Sequence, residues 1–415
     1  MDTSSRNCPP TAKERTMAPD TWPAVTTTTI PWRQNTDATG MLSRRAQSRI
    51  PTHVDIADVP FIRDAPLNIP ASIERKVNEA TLAAFAFSTQ QGAGFLPFTA
   101  LLMRGESAAS SHIEHLTASA KKIIESDLGI GSSHNADLIV ANTRAMQVAS
   151  HASWPLTRDS LLDMHSALLQ HSAPRIAGTM RDGHVWIGGD AHSPAGALYI
   201  GPSPDTLDAL IDDLLVFIAD YPCSPLVKAA IAHAQFETIH PFADGNGRTG
   251  RALIHFILQG TGVTPNTALP LSAVLLQDTD AYFAALGSYR NGDVWPIVEL
   301  FTHCAHVAAQ RGTQACNELG QIRSAWDCAV SSRADSPDAT ILDLLLSSPI
   351  LTKDAILQAH PELTESRIRR SLARLEAAGV VRAYKPKNNV TAWRADDVLE
   401  LLDSFATGLA RQKST

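Results

Sequence analysis

The stretch His240–Arg251, HPFADGNGRTGR, constrains this chain more than any other. Gly245, Gly247 and Gly250 stand there among His240, Asp244, Arg248 and Arg251. Glycine accepts positive φ and lets backbone N–H groups come close to a ligand. Successive N–H groups in such a loop form an anion-binding nest. The apolar run from Ala252 to Leu258 predicts a helix beginning near Thr249. The loop therefore ends at a helix N-terminus, where free donors and the helix dipole favour a phosphate. Arg248 and Arg251 add planar forks suited to phosphate oxygens. Asp244 is a hard carboxylate of the kind Mg²⁺ takes beside phosphates, and His240 can accept a proton near neutral pH. The chemistry reads as anion binding beside a base.

Upstream, Ser224 reads as an N-cap with Pro225 in the first turn, and an apolar helix then runs through Ile239 into His240. Helix, loop, helix is the expected local order. The string His240–Arg251 resembles the signature of the Fic (Fic/DOC) family, H-P-F-x-D/E-G-N-G-R-x-x-R, at every fixed position. The resemblance implies a mainly α fold: a Fic helical bundle with a small β-hairpin flap. It implies a protein adenylyltransferase that moves AMP from ATP, with Mg²⁺, to a Ser, Thr or Tyr hydroxyl of a target protein. In that reading His240 is the general base and Asp244 holds the metal. Gly245, Asn246, Gly247, Thr249 and Gly250 cradle the nucleotide; Arg248 takes its β-phosphate and Arg251 its γ-phosphate. Tyr282 and Phe283, with Arg290 nearby, fall where family members wall the adenine pocket.

The resemblance extends to a brake. Family members with an N-terminal helical extension carry an inhibitory helix, S/T-x-x-x-E-G/N. Here Ser110 and Glu114 fit it, and His115 stands where glycine or asparagine is usual. A spacing of four puts both side chains on one helix face. Glu114 is expected to reach Arg251 and occupy the fork meant for the γ-phosphate. His115 suits a left-handed helix end less well than glycine does.

Taken in order, residues 1–45 are rich in Thr, Ser, Pro and Arg and predict a disordered or loosely draped arm. Residues 46–130 form an N-terminal helical region with the inhibitory helix, 131–331 the Fic-like core, 332–337 a polar linker and 338–415 a separate unit. Within the first region, helical runs are expected at Ser72–Gln90, Phe98–Arg104 and Glu106–Ile124, broken at Gly105. Thr157 reads as the cap of a helix at Arg158–Leu169. Val185–Ile187 and Leu198–Ile200 predict a long-looped hairpin. It looks like the family's flap, so 185–200 is expected to hold a target segment by strand addition. Pro270–Leu276 reads as a connector, and Trp295–Ala309 and Arg311–Ser331 as two helices.

The last unit reads helix, helix, helix, hairpin and resembles a winged helix-turn-helix. Between Arg367 and Lys387 seven Lys or Arg face one acid, Glu376, which suggests contact with a nucleic-acid backbone. Dimerisation or target docking are the other uses of such a unit. Two competing functions follow: a Fic-fold transferase moving another phosphate-containing group, and a DNA-binding regulator that uses the core as a ligand sensor. The resemblance also leaves room for self-modification and for a homodimer.

A net charge of −7 implies no global attraction to nucleic acid or anionic membrane. No long apolar run predicts a membrane span, and the N-terminus lacks the order of a secretory signal. Five scattered cysteines without a CxxC pair fit free thiols in a reducing, cytoplasmic setting rather than a disulfide framework or a zinc site.

Overall fold

The computed structural model describes residues 21–32, 50–90, 96–189, 193–330 and 336–406. It is predominantly helical, with three small antiparallel sheets. At its centre lie α7 (Pro225–Ile239) and α8 (Asn246–Gly260), the helices on either side of the motif loop. Every residue of α7 from Leu226 on is buried. A helix buried on every face has to be enclosed by others, and this one is. It packs on α8, on α6 (Leu207–Asp220), on α10 (Thr279–Arg290) and on α11 (Trp295–Val330). On its other side α8 packs against α4 (His134–His151) and α5 (Arg158–Leu169). Helix α1 (Ala71–Gln90) turns Ile73, Val77, Ala80, Ala84 and Phe87 inward and lies along α11.

Helix α2 (Leu96–Ile113) carries Ser110, and Glu114 directly follows it. It runs through Gly105 without a break, contrary to the expected interruption. A Cβ at Gly105 would lie 2.8 Å from the Phe405 ring, so the glycine makes room for the last helix. The chain turns instead after Ile113, before α3 (Ala120–Asp127). The Thr157 cap is as expected: its side chain accepts from Ser160 N–H. The caps at Ser224 and Pro225 also fall where the sequence places them.

Other expectations need correction. Helix α8 starts at Asn246 rather than near Thr249, so the second half of the motif is itself helical. Pro270–Leu276 contains a short helix, α9 (Leu271–Leu275). The two helices expected between Trp295 and Ser331 are one, α11, whose buried stripe passes unbroken through Ala308, Ala309, Gly312 and Ala315. The threonine run placed in the draped arm forms β1 (Thr26–Pro31), paired with β2 (His53–Asp58) so that Thr26 lies opposite Asp58. Residues 1–20 and 33–45 of that arm lie outside the described residues, as do 332–335 of the linker.

Strands β3 (Trp186–Ile187) and β4 (Tyr199–Ile200) form the expected hairpin; residues 190–192 of its loop lie outside the described residues. The β1–β2 pair braces it. Val54 and Ile56 pack with Ile200, and Trp32 meets Trp186 edge-on at 5.9 Å between ring centres.

The C-terminal unit comprises α12 (Pro337–Ser347), β5 (Ile350–Thr352), α13 (Lys353–Ala359), α14 (Glu365–Ala377), β6 (Arg382–Lys387), β7 (Val390–Arg394) and α15 (Asp396–Ala406). Its sheet order is β5-β7-β6. The final helix was not anticipated. It packs on α2 and α3, and Asp403 accepts the Ala120 N–H at 2.6 Å. Arg104 donates to the Ser347 carbonyl at 2.6 Å. Lys387 donates to the Gly129 carbonyl at 3.0 Å, and Lys121 lies over the Tyr384 ring. Helix α2 is therefore enclosed between the motif helix on one side and this unit on the other.

Candidate active site

Helix α7 ends at His240, which takes the left-handed conformation (φ 51°, ψ 60°) as its C-cap. A histidine there is strained, as residues at functional sites often are. The turn directs the chain away from α7 and exposes part of the ring. His240 Nδ1 lies 3.3 Å from the carbonyl of Glu237. A carbonyl only accepts, so Nδ1 carries the proton and Nε2 keeps a lone pair. Burial pushes the His240 pKa down to about 4, and Arg290 and Arg181 push the same way against the Glu237 carbonyl. At neutral pH the ring is an uncharged base.

Four side chains hold the loop. Phe242 is fully buried and stacks on His165 at 3.7 Å, with ring planes 2° apart. Asn246 clamps the loop's ends: Oδ1 accepts from Phe242 N–H at 2.9 Å and Nδ2 donates to the Phe242 carbonyl at 2.8 Å. His165 Nδ1 accepts the Gly178 N–H, so Nε2 donates to the Asp244 carbonyl at 3.0 Å. Arg181 donates to the carbonyls of His240, Gly183 and Pro202, each at 2.8 Å. It ties the base of the hairpin to the base-bearing turn, and burial pushes its pKa down to about 10. His165 and Arg181 escape sequence reasoning. Arg181 ends the stretch AGTMR, residues 177–181, and nothing in that string shows which carbonyls it reaches.

Gly245 caps α8 in the left-handed region (φ 78°), where any side chain would be strained. A Cβ there would also lie 2.8 Å from Leu168. No side chain caps the first turn of α8, so its N–H groups stay open to an anion.

Both motif arginines are held by one carboxylate. Glu114 Oε2 accepts from Arg248 Nε at 2.8 Å, and Oε1 accepts from Arg251 Nη2 at 2.7 Å. The expected contact was Arg251 alone. Arg251 also donates to the Ser110 hydroxyl at 2.7 Å and the Ser110 carbonyl at 2.8 Å. One turn further back, Glu106 meets His255 at 3.0 Å and accepts from Ser272 N–H and Oγ–H. Residues 106, 110 and 114 of α2 and its end thus face 255, 251 and 248 of α8. A Cβ at Gly247 would collide with Glu114 Oε1, so this glycine makes space for the carboxylate. His115 adopts φ 62°, with the Leu116 N–H on the Ser111 carbonyl and the His115 N–H on the His112 carbonyl. That is a Schellman end, with histidine in the position glycine favours.

The structure separates the remaining candidates. Asp244 is more than half exposed; its Oδ1 accepts the Gly245 N–H at 2.6 Å and faces Arg248 at 3.4 Å. Among the described residues no group of three or more His, Cys, Asp or Glu forms a metal cage. A single exposed carboxylate beside an anion loop suits a cation that takes its other ligands from phosphate and water. Thr249 and Gly250 are buried, and Gly250 abuts Glu237, Phe236 and His233. Tyr282, a candidate pocket wall, is also buried, its hydroxyl 2.7 Å from His233 Nε2. Phe283 beside it is exposed. Arg290 does stack on an aromatic ring, but the ring is Tyr199 of the hairpin, 4.1 Å away. His233 and His255 are packing residues with buried partners.

Of the seven cations between Arg367 and Lys387, Arg370 bonds the Ser366 carbonyl of its own helix at 3.3 Å, and three are tied to other elements. Arg374 pairs with Asp338, Arg382 lies 3.8 Å from Asp396, and Lys387 binds Gly129. Arg367, Arg369, Arg370 and Lys385 point to solvent.

With this geometry in view, residues 155–258 match the Fic/DOC family. "Protein adenylyltransferase fic-1" of Caenorhabditis elegans is 32% identical over 155 residues, covering 37% of this chain and 28% of that protein. "Protein adenylyltransferase Fic" of Nematostella vectensis is 30% identical over 152 residues, covering 36% of this chain and 32% of that protein. The matches span less than a third of these relatives' length. The crystal structure of a Fic family protein from Desulfovibrio desulfuricans G20 superposes with a TM-score of 0.51 at 19% identity, covering 80% of this chain and 97% of that one. The two share a fold. Residues 155–258 are thus similar to a Fic/DOC domain, and the helical architecture is the one the motif implies. Among the described residues no helix is long and apolar enough to cross a membrane.

Proposed function

We propose that the chain is a protein adenylyltransferase: it moves AMP from ATP to a hydroxyl of a protein and is held in check by Glu114. The observation that carries this reading is the pairing of an uncharged His240, Nε2 free, with an anion loop whose two arginines are already bound by a carboxylate. Glu114 stands where phosphate oxygens would bind. The named adenylyltransferases to which the domain is similar point the same way.

In this mechanism the nucleotide's phosphates lie across the open first turn of α8. Arg248 and Arg251 bind the β- and γ-phosphates once Glu114 withdraws. Mg²⁺ at Asp244 would supply charge neutralisation on the phosphates. His240 Nε2 takes the target hydroxyl's proton as that oxygen attacks the α-phosphorus; the new P–O bond forms as the bond to pyrophosphate breaks. The hairpin 185–200 presents the target segment. With Glu114 in place, the γ-phosphate cannot reach Arg251 and the α-phosphorus is turned from in-line attack. The regions before, within and after the core, bounded at 130, 331 and 338, then act as brake, catalyst and winged-helix-like support for the brake helix.

The test incubates the Glu114→Gly protein with Mg²⁺, ATP labelled at the α-phosphorus and a cell lysate. Labelled proteins are expected, and none with His240→Ala in the same background. A Glu114→Gly protein that labels nothing, itself included, would retire the reading. A DNA-binding regulator is the second reading, favoured by the exposed Arg367, Arg369 and Arg370. Gel shifts of the full chain across a salt series decide it; no shift at low salt removes it.

A further inference from the structure

Behind the base lies a buried acid that the mechanism above does not use. Glu237 is one turn before His240 on α7 and is buried. Its Oε2 lies 3.8 Å from His240 Nδ1, on the same side as the carbonyl that fixes the tautomer. Among the described residues its Oε1 has no hydrogen-bond partner, and it is packed against Gly250. A buried carboxylate oxygen without a partner is costly and calls for an explanation. The facing groups are Arg251 from α8, Glu114 at the end of α2, Arg290 and Tyr282 from α10, and His233 and His240 from its own helix.

We propose that Glu237 is the positioning residue of His240: its carboxylate keeps Nδ1 protonated and stabilises the imidazolium formed when Nε2 takes the target's proton. This rests on the adenylyl-transfer reading. The proton moves from the target hydroxyl to Nε2, the hydroxyl's electron pair goes to phosphorus, and the Nδ1 proton stays between the ring and Glu237. A base oriented by a third group is a general device of nucleophile activation. It answers a specific difficulty here, because a ring held near pKa 4 is a poor acceptor for a hydroxyl proton. An adjacent buried anion raises its basicity as the transition state forms. Gly250 then has a reason beyond helix packing, since any side chain there would displace Oε1. Burial pushes Glu237 up to about 7, with Arg251 pulling it down and Glu114 pushing it up. The carboxylate is therefore lost as the pH falls through that value.

The direct test is NMR titration of the His240 ring in the full chain, compared with Glu237→Gln and Glu237→Asp. In the wild type the ring signals are expected to move through a step near pH 7, as Glu237 ionises beside it. Glu237→Gln, which keeps the shape, should abolish the step, and Glu237→Asp should retain one. A step that survives in Glu237→Gln, or no step in the wild type, overturns the proposal. This readout needs no turnover, so it stands even if adenylyl transfer itself is refuted. In the Glu114→Gly background, Glu237→Gln should lower kcat at least about tenfold, one pKa unit of basicity, while leaving the KM for ATP nearly unchanged. A merely structural role would leave the Gln variant's kcat at the parent value and its ring titration intact.

Discussion

Replacing Glu114 should release the proposed activity, and the structure sets how far. The carboxylate makes two charge-assisted bonds, 2.8 Å to Arg248 and 2.7 Å to Arg251. Such bonds contribute about 1.5–3 kcal/mol each. The Glu114 side chain keeps 28% of its exposure while both arginines are nearly covered, so solvent competes for part of that gain. A bias of about 3 kcal/mol toward the braked arrangement is reasonable, and at 1.4 kcal/mol per decade this is roughly a hundredfold. Initial rates of transfer from α-labelled ATP should therefore rise about a hundredfold in Glu114→Gly. The isosteric Glu114→Gln keeps the shape but not the charge and should rise about tenfold. Stability should fall in parallel, because Arg251 is left buried with the Ser110 hydroxyl and carbonyl, Tyr282 and Glu237 as its remaining partners. Equal rates for wild type and both variants would refute the brake. A rise with no loss of stability would refute the energetics assigned to the two bonds.

Three further outcomes follow from single residues. His115→Gly should relieve the left-handed strain at the end of α2, raising stability by about 1 kcal/mol in urea unfolding and lowering the basal rate. Asn246→Ala removes both bonds to Phe242 and should cost about 2 kcal/mol; it should also slow transfer without altering the Glu114 contacts seen in a crystal structure. The third concerns pH. Burial raises the folded pKa of Glu237 to about 7 from the ordinary 4.5, so its protonated form stabilises the fold fully below 4.5 and that contribution is lost as pH rises through 7. Glu237→Gln avoids the loss. Relative to wild type it should gain stability between about pH 5 and 7, by up to ~3 kcal/mol, measured by urea unfolding at each pH. A difference between the two proteins that does not change with pH would contradict the assigned ionisation.

Much of the site was readable because its residues are neighbours in the chain. The motif brings its own histidine, glycine turn and arginines together, and the Ser110-to-Glu114 spacing predicts the shared helix face that meets Arg251. Local caps were equally plain: Thr157, Ser224 and Pro225 act where hydroxyl and ring chemistry place them. What stayed hidden depends on contacts distant in sequence. The threonine run is a strand only because residues 53–58 come back to pair with it. Gly105 reads as a helix breaker until Phe405 fills the space beside it. Arg181 and His165 serve backbone carbonyls of a loop some 60 to 80 residues away, and no side-chain pattern records that. Tyr282 looks like a pocket wall beside Phe283, yet one of the pair bonds His233 inside the core and the other faces solvent. Periodicity alone does not say which of two adjacent aromatics turns inward.

In the proposed reaction the α-phosphorus is the centre attacked. Parallel incubations of the Glu114→Gly protein with Mg²⁺ and ATP labelled at either the α- or the γ-phosphorus test it most directly. Protein-bound label is expected from the α position, none from the γ position, and neither with His240→Ala. Label carried to protein from the γ-phosphorus alone would contradict it and would make the chain a transferase of another phosphate-containing group.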